Sequence, residues 1–327
     1  MIGILLAAAA VTSSPATTQS SSASSAVVAA DGSGKFKTIQ AAIDAAPQIT
    51  ESGSSPFVIF VKPGTYEELI YIQREKRFIA LVGEDPARTT IRFGLYGPMK
   101  NQDGAPIGTF RTPTVQIDAD DFTVANLTIE NSAGPKGQAL ALRVDGDRVA
   151  FGNCRFIGWQ DTVFLNRGRQ YFQDCQITGA TDFIFGGATA FFDHCQIHIA
   201  GNGYIAAPST PDFQNYGFVF DRCSISSEKA DVKTFLARPW RAHGQAVFMN
   251  CEMSDVVRPR GWDNWRSPQR EKTARFAEFN SSGPGGSSDQ RAPWAKQLDA
   301  SQAKEYSIEK VLGRWDPKRQ LDESHGQ

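Results

Sequence analysis

The chain has 327 residues, 41% of them hydrophobic, with 34 Lys plus Arg against 35 Asp plus Glu and a formal net charge of −1. That balance argues against a general nucleic-acid binder, which is usually basic, although a local basic groove for an acidic ligand stays open. Four histidines and no Cys-x-x-Cys spacing leave little for a transition-metal site, so none is expected.

Ile2 to Val11 is apolar, and Thr12 to Ser25 is rich in Ser, Thr and Ala. The apolar run is too short to span a bilayer, which takes roughly 20 residues. It fits a secretory core followed by a small-residue cleavage zone, although the first basic residue is Lys35. A low-complexity tail is the alternative. The reading assigns 1–30 to a signal peptide and linker, 31–318 to a single domain and 319–327 to a C-terminal tail. It expects a secreted or periplasmic monomer without a membrane span.

Phe36, Ile39, Ile43 and Ala46 share one helical face, stopped by Pro47. This helix is expected to cap one end of the fold. Gly94 to Phe110, rich in Gly and Pro, reads as an extended loop able to shape a cleft.

A repeat follows. Phe151-Gly152-Asn153-Cys154-Arg155-Phe156 is matched around Cys175, Cys195, Cys223 and Cys251, and Val124 to Ile129 has the same shape. Taking Asn126 as the first member of the cysteine ladder, the steps are 28, 21, 20, 28 and 28 residues. Periods of this size mean stacked supersecondary units. The units alternate apolar and polar residues, a strand signal, and Gly146, Gly158, Gly168 and Gly179 punctuate them. The expected fold is all-β, a single-domain parallel β-helix with short capping helices. A leucine-rich repeat is the rival, but its leucine pattern is missing. The five cysteines are expected as buried thiols, with one or two bridges as the alternative in an exported protein. Residues 258–298 read as ordered loops. Asp299-Ala300-Ser301-Gln302 resembles a capping box, with Ala303, Tyr306 and Val311 following and Gly313 as the stop. That helix is expected near the C-terminal end.

Asp161 and Asp182 are 21 residues apart, and each lies seven residues after a cysteine. On neighbouring rungs, about 4.8 Å apart, two such carboxylates do not both ionise easily. One becomes a proton donor and the other a nucleophile or base. Ordinary turn aspartates are the alternative, an even contest on pattern alone. Gln138 and Gln160 are able to donate hydrogen bonds to an oxyanion. Arg238 is able to hold an ionised Asp, and Trp240 and Phe185 offer flat faces for sugars. Taken singly, these are also a surface amide, a salt-bridging arginine and packed aromatics.

Gly64-Thr65-Tyr66-Glu67-Glu68, Gln138-Ala139-Leu140-Ala141-Leu142, Gln160-Asp161-Thr162-Val163, Asp182-Phe183-Ile184-Phe185-Gly186 and Leu236-Ala237-Arg238-Pro239-Trp240 together resemble, in order, the five signature blocks of pectin methylesterases. The likeness runs from about Asp31 to Trp315 and includes Gly261 to Trp265 and Phe279 to Gly285. It implies a right-handed parallel β-helix of the pectin-lyase-like kind and hydrolysis of the methyl esters of pectin without a cofactor. It also implies roles: Asp182 as nucleophile, Asp161 as general acid and then base, Gln138 and Gln160 as the oxyanion hole, Arg238 orienting Asp182, and Trp240 stacking on substrate. One departure is Ala237, where the family signature usually has glycine. A left-handed backbone there would disfavour alanine; activity is nevertheless expected.

Two other classes compete. A pectin-degrading glycosidase or lyase, or a thioesterase or other esterase, would use the same scaffold. A glycosidase tolerates carboxylates roughly 5 to 9.5 Å apart, but paired glutamine amides suit a carbonyl oxyanion better. A non-catalytic pectin-binding protein would be expected to have lost a catalytic-type residue, and all five are present.

Overall fold

A computed structural model describes residues 25–48 and 55–324. Its short strands pair in parallel with the equivalent strands one turn before and one turn after. An 11-stranded sheet takes its strands in sequence order from Ser25–Val28 through Phe57–Val61, Val149–Gly152, Arg169–Gln173 and Thr189–Asp193 to Lys296–Gln297. A 13-stranded sheet forms the rest of the wall. Two long strands, Gln176–Gly186 and Gln196–Pro208, each run along two segments of that wall. Gln176–Gly186 pairs first with Arg155–Ile157 and then with Val163–Leu165. The architecture is a right-handed parallel β-helix.

A left-handed residue makes the same corner on successive rungs. Asn126, Asn153, Asp174, His194, Arg222, Asn250 and Asn280 all have φ between 49° and 57°. Asn and Asp tolerate this region because their short polar side chains bond locally. Asn153 Nδ2 donates to Asn126 Oδ1 at 2.8 Å, and Asn280 Nδ2 to Asn250 Oδ1 at 3.0 Å. The following residue turns inward: Leu127, then Cys154, Cys175, Cys195, Cys223 and Cys251, none more than 1% exposed. The expected ladder is thus corrected by one position. Arg155 pairs with Thr128, so Asn126 is level with Asn153 and Leu127 fills the cysteine slot. The corner defines the unit, and the thiol is one of several small apolar fillers. All five cysteines are free and buried.

Three residues before each thiol stands a phenylalanine. Phe151, Phe172, Phe192, Phe220 and Phe248 form a stack with centroids 4.5, 4.7, 4.4 and 4.3 Å apart. Burial of each ring is worth about 1.5–3 kcal/mol, and the offset stacking adds to it. This column fixes the rung spacing on which the site depends.

Helix α1, Ile39–Ala45, closes the N-terminal end, with Ile39, Ala42 and Ile43 in the main core. Phe36 precedes it and packs against the core from an isolated bridge to Val28. Thr38 caps the helix, and the Glu68 carboxylate accepts from Ile39 N at 2.9 Å and Gln40 N at 3.1 Å. A negative charge at a helix N-terminus is favourable. The Gly64–Glu68 motif is therefore architectural: Tyr66 Oη donates to Lys62 O at 2.8 Å.

The C-terminal expectation needs correction. The Asp299 capping box is present, but the segment breaks into α2 (Ala300–Ala303), a 3-10 turn, and α3 (Ile308–Leu312), followed by α4 (Pro317–Ser324). These helices do not cap the end. Val311, Leu312 and Leu321 cover Ala150, Tyr171, Phe191, Val219 and Val247 on the outer face of the 11-stranded sheet. The apolar outward residues of that sheet require a cover, which α3 and α4 supply. Residues 319–324 are therefore helix rather than tail. At the other boundary, Ser25–Val28 pairs with Val58–Val61, so the coil begins before residue 31. The signal-peptide and linker reading covered 1–30, of which residues 1–24 lie outside the described residues. The 258–298 segment is also less loop-like than expected, since Arg275–Phe279 is a strand of the 11-stranded sheet.

Candidate active site

The two aspartates come together where the 13-stranded wall turns. Gln138 bridges Gln160, and Gln160 bridges Thr181, all in parallel. The next position on each rung is Ala139, Asp161 and Asp182. Asp161 N donates to Thr181 O at 3.1 Å. The carboxylates thus stand in register on adjacent rungs, about 4.8 Å apart by the sheet spacing. Both adopt left-handed backbone, with φ of 64° and 51°, which is uncommon outside glycine. The strand register slips between Gly179 and Ile184, an irregularity of the kind that re-aims side chains next to active sites.

Gly186 ends the Asp182 motif at φ +127°, where a Cβ would lie 1.9 Å from Leu165 O. Only glycine fits that approach. Ala237, by contrast, has no positive φ and pairs with Ala206 in the sheet. The concern raised by the missing glycine does not arise.

Arg238 grips one aspartate of the pair. Its Nε donates to Asp182 Oδ1 at 2.8 Å and its Nη2 to Asp182 Oδ2 at 2.5 Å. The guanidinium lies between Tyr204 and Trp265, 3.8 Å from each ring centroid. A planar cation held between two rings loses little freedom when it forms its bidentate bond. Trp265 itself has φ 57° and is fixed by a 2.7 Å bond from its N to Asp263 Oδ1.

The electrostatics separate the pair. Burial, reinforced by the Asp182 charge, pushes Asp161 up to about 8 against the pull of Arg238. Burial also raises Asp182, but the Arg238 hydrogen bonds and charge oppose it, while Asp263 adds to the rise. Because the bidentate grip falls on Asp182, that carboxylate loses its proton first and Asp161 keeps one at neutral pH. The Asp161 carboxyl makes no side-chain hydrogen bond within the described residues, so its proton is available.

The cleft over the pair has a volume of about 320 Å³ and is lined by Thr109, Phe110, Gln138, Gln160, Asp161, Asp182, Phe185, Ala207, Arg238, Trp240 and Trp265. Every residue singled out from the sequence is among them. The amides of Gln138 and Gln160 have no protein partner among the described residues and are free to meet a ligand. Phe185 lines the cleft but is 4% exposed, packed in one cluster with Phe164, at 4.7 Å, and Trp240, at 5.7 Å. Phe110, 43% exposed, is the more open ring of the cleft. It arrives on the Gly-rich loop, which is tied to the wall by a 2.7 Å bond from Gly97 N to Gln138 O.

Sequence reading missed Tyr204 and gave Trp265 no role. Tyr204 pairs with Thr181 on one side and Phe235 on the other. Its place was legible only by carrying the strand register forward from Asp182.

A β-helix wall that presents a protonated carboxyl, an arginine-held carboxylate and two free amides inside an aromatic cleft defines a hydrolase of the β-helix ester-cleaving class. The pectinesterase family model matches residues 25–314. Pectinesterase 31 of Arabidopsis thaliana is 39% identical over 274 residues, covering 82% of this chain and 86% of that protein. The pectin methylesterase from carrot superposes with a TM-score of 0.82 at 30% identity, over 90% of this chain and 95% of that one. A pectin methylesterase solved in complex with a hexasaccharide superposes with a TM-score of 0.78 at 34% identity, over 89% and 98%. The chain belongs to the pectinesterase family.

Proposed function

We propose that this esterase removes methyl esters from the uronate units of pectin through an Asp182 acyl-enzyme. The observation that carries the reading is the asymmetry of the pair, with Asp182 gripped at both oxygens by Arg238 and Asp161 buried beside it without that grip, its pKa pushed up to about 8.

In the first half-reaction an Asp182 oxygen attacks the ester carbonyl carbon. The developing oxyanion takes hydrogen bonds from the Gln138 and Gln160 amides. Asp161 gives its proton to the departing methoxy oxygen, and methanol leaves. The product is an anhydride between Asp182 and the uronate carbonyl, with Asp161 now a carboxylate. In the second half-reaction Asp161 takes a proton from water as that water attacks the uronate carbonyl carbon. The anhydride C–O bond breaks, Asp182 returns to its ion pair with Arg238, and Asp161 is again protonated. Trp240 and Phe110 pack the sugar ring.

That a solved relative holds a hexasaccharide supports a polymeric substrate. A polymer cannot cross a membrane to reach an enzyme, so action outside the cytoplasm fits, in keeping with the apolar N-terminal run. Among the described residues no helix is long and apolar enough to span a membrane.

The test is methanol release from highly methylated pectin, beside an acyl-CoA thioester control. Asp182→Asn should lower kcat at least about a thousandfold, and Asp161→Asn about 10²- to 10⁴-fold. Full activity in Asp182→Asn would remove the nucleophile assignment. Thioester cleavage without methanol release would move the substrate class.

A further inference from the structure

We propose that Thr112 and Asn131 are positioning residues that hold the Gln138 amide in place and tie the Phe110 loop to it. The proposal rests on the oxyanion-hole reading of Gln138. Neither residue lines the cleft, and both are buried, Thr112 at 0% and Asn131 at 3% exposure.

The Gln138 side chain has nothing of its own to hold it, since its amide makes no bond among the described residues. Its aim is therefore set by its backbone. That backbone lies outside the regular strands, because the strand of this rung starts only at Leu142. Gly137, just before it, has φ +139°, and glycine fixes no direction by itself. Toward the next rung Gln138 makes an isolated bridge to Gln160. On the other side it is held by the loop, with Gln138 O accepting from Gly97 N at 2.7 Å. Two residues on, Leu140 N donates to Thr112 Oγ1 at 3.0 Å. Leu140 O accepts from Asn131 Nδ2 at 3.0 Å, beside the backbone bond from Thr114 N.

The same two side chains hold the loop that carries Phe110. Thr112 Oγ1 donates to Thr109 O at 2.7 Å. Asn131 Nδ2 donates also to Leu95 O at 2.9 Å, where the loop begins, and to Thr112 O at 3.3 Å, just past its end. Asn131 Oδ1 accepts from Ala133 N at 3.0 Å. Pro98 of the loop closes on Gly137 so tightly that a Cβ there would lie 2.9 Å from Pro98 Cδ.

Buried polar groups are bonded in any fold, so satisfaction alone says nothing about catalysis. Location does. Leu140 belongs to the Gln138 segment, and Leu95 and Thr109 belong to the loop, so the two side chains join the two margins of the cleft. The hub requires an amide. Three carbonyl oxygens face Nδ2, and an aspartate there would set a carboxylate oxygen against them. A catalytic group misplaced by about 1 Å costs about a hundredfold in rate. Thr112→Val keeps the shape of Thr112 but leaves Leu140 N without its hydroxyl acceptor.

The test is a double-mutant cycle with Gln138→Ala, read as methanol release. Thr112→Val should lower kcat about tenfold and change KM less than about threefold. Thr112→Ser keeps the hydroxyl and should stay within about twofold of wild type. In the Gln138→Ala background Thr112→Val should cost less than about twofold, because the amide it positions is gone. A tenfold loss in both backgrounds would mean general weakening of the fold and would overturn the proposal, as would full activity in Thr112→Val. Asn131→Ala should show the same background dependence, and it carries the comparison if Thr112→Val does not fold. A readout without turnover separates the proposal from the esterase reading. The Gln138 side-chain amide resonance, assigned by its loss in Gln138→Ala, should shift in Thr112→Val and return in Thr112→Ser. If the wild type released no methanol, the main reading would fall, and an unmoved Gln138 resonance would still overturn the positioning role.

Discussion

Replacing Asp161 by Asn should stabilise the protein above neutral pH while disabling it. In the folded chain burial and the neighbouring Asp182 charge raise Asp161 from 3.8 to about 8. A carboxyl whose folded value lies above its unfolded value holds its proton more tightly when folded. Its contribution to stability is complete below about pH 4. As pH rises, the unfolded state sheds the proton first, and stability falls until the folded group also ionises near pH 8. The interval is about 4 pH units, and at 1.36 kcal/mol each the ceiling is about 6 kcal/mol. The cleft is open to water, and relaxation around the charge screens part of that penalty, so about 2–3 kcal/mol is the working figure. Asparagine keeps the shape of the neutral acid and cannot ionise. Thermal melts of wild type and Asp161→Asn should therefore differ little at pH 4.5. At pH 8.5 the variant should melt a few degrees higher, each kcal/mol being worth about 1.5–2 °C at the unfolding entropy of a chain of this size. A stability difference that is the same at both pH values would refute the placement of the raised carboxyl on Asp161.

The pH profile of kcat/KM should fall on the alkaline side near pH 8, as Asp161 loses the proton that the proposed mechanism has it donate; a profile flat to pH 10 would contradict the acid role, the apparent value belonging to the coupled pair. Trp265→Ala removes one of the two rings 3.8 Å from the Arg238 guanidinium and should cost about tenfold in kcat, with KM moving less. An equal rise in KM alone would make Trp265 a substrate contact only. Gly186→Ala drives a Cβ to 1.9 Å from Leu165 O at φ +127° and should lose about 3 kcal/mol or more, read as a lower denaturation midpoint; a neutral result would mean the wall shifts freely.

The stacking was legible because it is one-dimensional. The rungs with corners from Asn153 to Asn250 repeat a left-handed residue, a buried thiol and a phenylalanine, so spacing alone placed Asp161 beside Asp182. The one-position slip at Asn126 shows where the signal was thin. The cysteines caught the eye, but the physical requirement lies in the preceding residue, whose φ near 50° favours Asn or Asp. The flank was not legible. Val311 reads as part of a single helix and Leu321 as tail, and nothing local says that they cover Tyr171 and Phe191 rather than the open end. Tyr204 was hidden for the same reason: its meaning depends on a guanidinium supplied by a residue on the next rung of the wall.

The left-handed backbone at Asp161 and Asp182 ties the fold to the chemistry. In regular strands, side chains on one face of neighbouring rungs point the same way, and a carboxylate pair so placed would share one environment. The slip between Gly179 and Ile184 and the two positive φ values bend each aspartate out of the strand pattern at its own corner. Asp182 is thereby delivered to Arg238, which follows the strand beyond the one carrying Tyr204, and the Asp161 carboxyl is left without a hydrogen bond among the described residues. Strain of this kind costs of order 1–3 kcal/mol per residue and persists only where surrounding structure holds it. Here the phenylalanine column and the closed rungs supply that support. The same rigidity keeps a protonated acid next to an ionised carboxylate, which an adaptable loop would relieve by moving them apart.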